Sequence, residues 1–168
     1  ITEPFLGLFT QGMVCHETYK DENGSWLNPK EVDTTNGNDF FIKGNLDQKV
    51  NIGASESMSK SKKNTIDPEE MITNYGADAV RLFILSDSPP EKDVQWSDQG
   101  MLAAYKFIHK FWLMHQNIKN EILSSQKKGI ENQKLIEENF QVFTNEIIDK
   151  ITKNLDNFHY NVIIANFH

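Results

Sequence analysis

The groups in this chain best suited to chemistry lie in one dense run, Ser57-Met58-Ser59-Lys60-Ser61-Lys62-Lys63-Asn64. Three lysines fall within four residues, interleaved with short hydroxyl side chains and preceded by Gly53-Ala54-Ser55. Serine hydroxyls and backbone N–H groups hydrogen-bond phosphate oxygens, and a lysine ammonium supplies a compact positive charge on a flexible stem. Such a loop can close over an anionic ligand. On composition alone the alternative is a solvated surface loop, which is what most charge runs are. The glycine spacing is wrong for a Walker-type phosphate loop. The helix expected to follow adds little to anion binding, because Asp67, Glu69 and Glu70 already occupy its positive end.

Other reactive side chains read as structural. The five histidines show no metal-ligand spacing. His109 and His115 are six residues apart and fall on different faces of a helix, and His115 on the apolar stripe reads as a satisfied, partly buried histidine. Cys15 is the only cysteine, which excludes a disulfide and argues against a cysteine-based zinc site. It sits in an apolar run and reads as inert. Asp78 and Arg81 are three apart and predict an intrahelical ion pair. Trp96 and Trp112 read as core aromatics. Lys106, Lys110, Lys119, Lys127 and Lys128 either meet nucleic-acid phosphates or form a solvated helix face.

Three zones must position the lysine-rich run. From Phe5 to about Ile52 short apolar runs are broken by turn signals: Phe5-Leu6-Gly7-Leu8-Phe9 and Gly12-Met13-Val14-Cys15 read as buried strands or strand-like segments. Asp21-Glu22-Asn23-Gly24 predicts a hairpin turn, and Asn36-Gly37-Asn38 a second turn before a strand at Asp39-Phe40-Phe41-Ile42. The middle zone, Gly53 to about Lys63, reads as loop. A helix then starts at Asp67, the expected N-cap, with Pro68 in its first turn and Glu70 placed to close a capping box. A second helix, around Asp78 to Leu85, is expected to bury Val80, Leu82, Phe83 and Ile84 or Leu85 before Ser88-Pro89-Pro90 stops it. In the third zone Leu102, Tyr105, Ile108, Trp112, His115 and Ile118 recur at helical spacing. After the polar stretch Ser124 to Gly129, so do Ile136, Phe140, Phe143, Ile147, Ile151, Leu155 and Phe158. These two stripes are expected to pack on each other as an antiparallel pair.

The chain has 168 residues and a mass of 19.4 kDa, enough for one ordinary domain or two small ones. Its net charge of −7 excludes a generally basic nucleic-acid-coating protein and confines any such binding to local patches. No apolar run reaches the roughly 20 residues of a membrane span, and with a lone cysteine a reducing, cytoplasmic setting is the expectation. The start without methionine and the end at Asn166-Phe167-His168, inside a helical pattern, suggest a piece of a longer protein.

Met58-Ser59-Lys60-Ser61, followed by Lys-Lys-Asn and Ile-Asp-Pro, resembles the KMSKS signature of class I aminoacyl-tRNA synthetases. Tyr75-Gly76-Ala77-Asp78-Ala79-Val80-Arg81-Leu82 is similar to the segment that the aliphatic-amino-acid subgroup places after that loop. Upstream, Glu3-Pro4-Phe5-Leu6-Gly7-Leu8-Phe9-Thr10-Gln11-Gly12-Met13-Val14 and His16-Glu17-Thr18-Tyr19 are similar to the leucyl-tRNA synthetases in particular. The motifs span residues 3–98, and beyond them the match rests on helical pattern.

The resemblance implies activation of leucine by ATP as leucyl-adenylate and transfer of the leucyl group to tRNA(Leu). Magnesium would accompany ATP as its counter-ion, with no protein-bound metal in this piece and no membrane partner. Lys60 takes the place of the signature's second lysine, the phosphate ligand, with Ser59, Ser61 and the backbone around Met58 shaping an ATP-binding loop. Ser57 replaces the signature's first lysine, and Lys62 or Lys63 is left to compensate or to face tRNA or solvent. Met13 and Val14, with Gln11 and Gly12, either contact adenosine or pack at the sheet edge.

The fold class expected is α+β: a β-rich remnant of a class I nucleotide-binding catalytic domain, then an antiparallel α-helical bundle segment. Residues 1–98 would be the C-terminal part of the catalytic domain, with a compact β-rich insertion at about 19–52. Residues 99–168 would begin the helical anticodon-binding domain. The family's His-Ile-Gly-His-like stretch, the leucine pocket and any editing domain lie outside this sequence, so the isolated piece is expected to be inactive. The alternatives are a sibling enzyme for isoleucine, valine or methionine, and a noncatalytic RNA- or protein-binding helical module.

Overall fold

Pairing in the β-rich part is organised by one strand, β1 (Val14–Lys20), in a computed structural model that describes residues 4–5, 7–34, 39–125 and 134–168, with backbone alone at 125 and 134–139. The Asn36-Gly37-Asn38 turn, Gly129, Lys127 and Lys128 lie outside the described residues, as does the side chain of Ile136. The chain forms two compact units: residues 1–71 with 91–98, and residues 72–90 with 99–168. It is α+β, with antiparallel sheets and five helices among the described residues.

In the first unit β1 pairs antiparallel with β2 (Trp26–Leu27) across the expected hairpin, whose turn is closed by Asp21. The Asp21 carboxylate accepts from Asn23 N–H at 3.0 Å and from Ser25 N–H at 2.7 Å, so an Asx turn helps the Asn-Gly pair reverse the chain. Lys20 lies 4.1 Å from the centre of the Trp26 ring on the partner strand. A second sheet joins β3 (Val32–Asp33), β4 (Phe41–Ile42) and β5 (Asn45–Lys49) in that order. Tyr19, Val32 and Val50 form the buried core of this unit, with Leu27, Phe40 and Ile42 packed against it.

The middle zone is not all loop. Residues Asn51–Ser57 form β6, which runs antiparallel along β1 with Cys15 opposite Ser57 and Glu17 opposite Ser55. Gly-Ala-Ser is poor strand composition, but strand propensity is largely a matter of neighbours, and here the neighbour requires small residues. The register slips between Glu17 and Tyr19, so β6 carries one extra residue opposite buried Thr18. The Thr18 hydroxyl donates to the Ala54 carbonyl at 3.1 Å, and a Cβ on Gly53 would collide with that hydroxyl. A last short strand, β7 (Val94–Gln95), pairs parallel with the start of β1.

The apolar run at Phe5-Leu6-Gly7-Leu8-Phe9 is not a buried strand. Its described residues are irregular, and Phe5, Leu8 and Phe9 are exposed.

Tyr19 is buried, and its hydroxyl donates to the Glu17 carboxylate at 3.0 Å. Burial first, then the bond to Glu17 and its negative charge, raises the Tyr19 pKa well above the ordinary phenol range. A pKa raised by folding gives stability that is complete below the unfolded value of about 10 and lost as pH rises toward the folded one. Thermal unfolding is therefore expected to show a melting temperature that falls above about pH 10, and Tyr19→Phe should flatten that fall.

Helix α1 (Pro68–Tyr75) starts as its sequence predicts, with the Asp67 carboxylate accepting from Glu69 N–H at 3.0 Å. Glu70 does not close the capping box; its carboxylate pairs with Lys30. A complete box is instead built at the short 3-10 turn Pro29–Glu31, between Asn28 and Glu31.

In the second unit, α2 (Ala77–Asp87) buries Ala79 and Phe83, one turn apart, while Val80, Leu82 and Ile84 are half-buried and Leu85 is exposed. Ser88 is extended, as a residue before proline must tend to be, and the helix stops there. Asp78 and Arg81 form the expected pair at 3.3 Å. Helix α3 (Asp98–Ser125) buries Met101 and Ala104 in its first two turns, whereas Trp112, Leu113, Met114, Ile118 and Ile122 stay exposed. Trp112 is thus not a core aromatic. His115 is exposed too, its ring N–H directed at the Phe111 carbonyl 3.1 Å away.

Helix α4 (Lys134–Asp156) ends in a tight turn with Phe158 at φ 58°, and α5 (Tyr160–Phe167) folds back from it. Among the described residues the principal helix packing sets α5 against α2 and against α4, rather than the α3 and α4 stripes against each other. Amphipathic spacing marks which residues need cover without specifying the cover. Here Ile163 and Ile164 of α5 are buried.

Candidate functional site

The lysine-rich run leaves the end of β6 and turns tightly against β1. Met58 N–H donates to the Val14 carbonyl at 3.1 Å, extending the strand pairing by one bond. Residues Lys60–Lys62 form a single 3-10 turn, which Lys63 closes in the left-handed region at φ 56° with its N–H bonded to the Lys60 carbonyl at 3.3 Å. The Ser59 and Ser61 hydroxyls lie 2.7 Å apart on the outer side of this turn.

The turn is held from beneath by Asn64, which has no solvent exposure. Its side-chain oxygen accepts from Ser59 N–H at 2.8 Å. Its amide group donates to the His16 carbonyl of β1 and the Glu56 carbonyl of β6, each at 3.2 Å. The sequence places Asn64 at the end of the lysine-rich run without assigning it a role. The available signal was an asparagine directly after a lysine cluster, at a chain reversal where short polar side chains bond backbone groups.

The three lysines have different surroundings. The Lys62 ammonium pairs with the Glu56 carboxylate, both half-exposed. Lys60 and Lys63 are exposed, and among the described residues the Lys60 ammonium has no hydrogen-bond or ion-pair partner. The same holds for the Lys63 ammonium, so Glu56 sets Lys62 apart from the other two, and Lys60 is the one that lies between the two hydroxyl-bearing serines. Ser57 sits exposed at the end of β6, opposite Cys15. Met58 and Ser59 are half-buried and Ser61 is exposed.

The structure brings the upstream strand residues to this turn. Val14 supplies the carbonyl that Met58 bonds, and Met13, which precedes it, is 55% exposed. The Met13 backbone is fully engaged: its N–H donates to the Asp93 carboxylate at 2.8 Å, and its carbonyl accepts from Val94 N–H at 2.9 Å. Cys15 is buried, with its thiol 4.0 Å from the Met13 carbonyl. Trp96 donates from its indole N–H to the Asp98 carboxylate at 2.9 Å.

Among the described residues no three or more His, Cys, Asp and Glu side chains are placed to hold a metal ion. Among them, too, no helix is long and apolar enough to cross a membrane.

Residues 50–97 match the family tRNA synthetases class I (I, L, M and V). Over 99% of its length the chain is 42% identical to the leucine–tRNA ligase of Wolbachia pipientis from Culex pipiens, of which it covers 19%. Over 79% of its length it is 55% identical to the leucine–tRNA ligase of Rickettsia typhi, covering 15% of that protein. The chain thus spans less than a fifth of these curated relatives. Its fold is similar to that of a LeuRS from Agrobacterium radiobacter solved as a ternary complex with tRNA and LeuAMS. The TM-score is 0.62 at 24% identity, covering 99% of this chain and 17% of that one.

Proposed function

Since the chain belongs to the class I tRNA synthetase family, we propose that it is the part of a leucine–tRNA ligase that carries the ATP-phosphate loop. The reaction assigned to the whole enzyme has two steps. A leucine carboxylate oxygen attacks the α-phosphorus of ATP, the bond to the β-phosphate oxygen breaks, and pyrophosphate leaves with magnesium as its counter-ion. The 3′-terminal hydroxyl of tRNA(Leu) then attacks the leucyl carbonyl and releases AMP. Both steps depend on positioning and on stabilising developing charge rather than on covalent chemistry by the protein.

The observation that carries this reading is the state of the turn. Met58–Lys63 is bonded to two strands, Lys62 is held by Glu56, and Lys60 stands exposed beside the Ser59 and Ser61 hydroxyls. A lysine so placed can bind the leaving pyrophosphate more tightly as its charge builds, which is differential binding of the transition state. Met13, adjacent to Val14 at the base of the turn, is assigned to the adenosine side. Residues 1–98 are read as the C-terminal part of the catalytic domain and 99–168 as the start of the anticodon-binding helices. The reaction is assigned to the cytoplasm, and the piece alone, without the opposite half of the ATP site, is assigned no activity.

The test is amino-acid-dependent ATP–pyrophosphate exchange by the full-length chain that contains this segment. Exchange is expected with leucine and to be lower by at least about 10²-fold with isoleucine, valine or methionine. Exchange driven by one of those three would transfer the reading to the sibling enzyme. Folded protein without exchange would leave a noncatalytic module.

A further inference from the structure

We propose that Asn64 is a positioning residue for this reaction, its buried carboxamide setting where the Ser59–Lys63 turn holds Lys60. The inference rests on the reading of that turn as the phosphate loop and assigns its geometry to a residue outside the signature itself.

An asparagine is seldom fully buried unless its polar atoms are satisfied, and Asn64 satisfies them in one direction each. Its oxygen takes the Ser59 N–H, and its amide nitrogen serves the His16 and Glu56 carbonyls. Three separate pieces of chain meet on one side chain: the edge of β1, the last residues of β6 and the first residue of the turn. Ser59 directly precedes Lys60, so whatever fixes the Ser59 amide fixes the root of the lysine. The Lys62–Glu56 pair also ties the turn to β6, but it is half-exposed, and exposed pairs hold little. Lys63 adds no hold of this kind: its left-handed backbone is disfavoured for a residue with a side chain and persists because its surroundings impose it. Removing the Asn64 amide frees the Ser59 N–H and leaves the two strand carbonyls without this donor, so beyond the Met58–Val14 bond the turn loses its hold on β1. Displacing a charge-stabilising group by about 1 Å can lower a rate by about 10²-fold.

Two measurements on the full-length chain test this. In ATP–pyrophosphate exchange, Asn64→Ala is expected to lower kcat by about 10- to 100-fold with KM for leucine unchanged. Adding Asn64→Ala to Lys60→Ala should lower it little further, because Asn64 acts only through that lysine. Losses that multiply, or an Asn64→Ala enzyme within about twofold of wild type, would overturn the proposal.

Trypsin cleavage after Lys60, Lys62 and Lys63 supplies a readout independent of the amino acid. Asn64→Ala should be cut at least about tenfold faster at these sites, with unchanged cutting elsewhere. Equal rates would overturn the role of Asn64 whatever the exchange assay gives. A wild-type chain without leucine-dependent exchange would refute the enzymatic reading instead, and the cleavage rates would still decide whether Asn64 holds the turn. If Asn64→Ala does not fold, Asn64→Ser, which keeps one hydroxyl donor, should show the same pattern with smaller changes.

Discussion

Replacing Lys60 with alanine is expected to lower leucine-dependent ATP–pyrophosphate exchange by about 10²- to 10³-fold, the usual result of removing one group that stabilises transition-state charge. KM for leucine should hardly change, because the lysine is assigned to the leaving phosphates rather than to the amino acid. The comparison with Lys62→Ala makes the prediction specific. Lys62 is the same residue type two positions on, but its ammonium is engaged by Glu56 while that of Lys60 is not. Its loss removes a half-exposed ion pair, which typically amounts to less than about 1 kcal/mol, or about fivefold in rate if all of it reached the transition state. Steady-state exchange kinetics on the two variants read the difference directly. Equal losses would mean that the run acts through total charge, and the assignment to Lys60 would fail.

The second large effect is expected at Gly12. A Cβ there would fall inside van der Waals contact with the Lys92 carbonyl group and 2.7 Å from the Asp93 nitrogen, all of them backbone atoms. No side-chain rotation relieves that overlap, so Gly12→Ala must push residues 92–95 away from β1. The bonds at risk are those from Met13 N–H to Asp93, from Val94 N–H to the Met13 carbonyl, and from Trp96 N–H to the Cys15 carbonyl. With roughly 1 kcal/mol for each bond and about 1–3 kcal/mol for overpacking, a destabilisation of about 3 kcal/mol or more is expected. Hydrogen exchange should show it first, as lost protection of the Val94 and Trp96 amides, before the melting temperature reports the whole. Unchanged protection at both amides would show that the segment accommodates a methyl group.

The sequence spoke most clearly where a local rule decides the outcome. The Asn23-Gly24 hairpin, the Asp67 cap, the Ser88-Pro89-Pro90 stop and the Asp78–Arg81 pair all depend on residues within a few positions of each other. The lysine cluster was legible for the same reason. Gly53–Ser57 was not, because its strand character comes from β1, more than thirty residues upstream, and from the extra residue that Thr18 and Gly53 accommodate. The partner of Glu70 was missed likewise: the capping box is a local option, and Lys30 is a distant competitor that won. Helical spacing identified the stripes on α3 and α4 but could not say that the short apolar helix after Phe158 would become the packing partner of α2 and α4. At the site, composition offered three lysines and no means of ranking them. Glu56 sets Lys62 apart and Asn64 anchors the residue before Lys60, and both act through contacts that periodicity does not encode.

The two bonds donated by the Asn64 amide nitrogen also fix an order of assembly. Its bond to Glu56 closes over eight residues, whereas its bond to His16 closes over 48 and the Met13–Asp93 contact over 80. Short closures form readily, and long ones must wait until the intervening chain has collapsed. The turn can therefore begin to form on β6 alone, but it reaches its final shape only when β1 has paired in the correct register. A shift of one residue would present Asn64 with a differently directed carbonyl. On the proposed reading the lysine-bearing turn works as an inspection point for strand pairing: a misregistered chain fails to present Lys60 in place, because the bonds that set the turn are those that certify the fold.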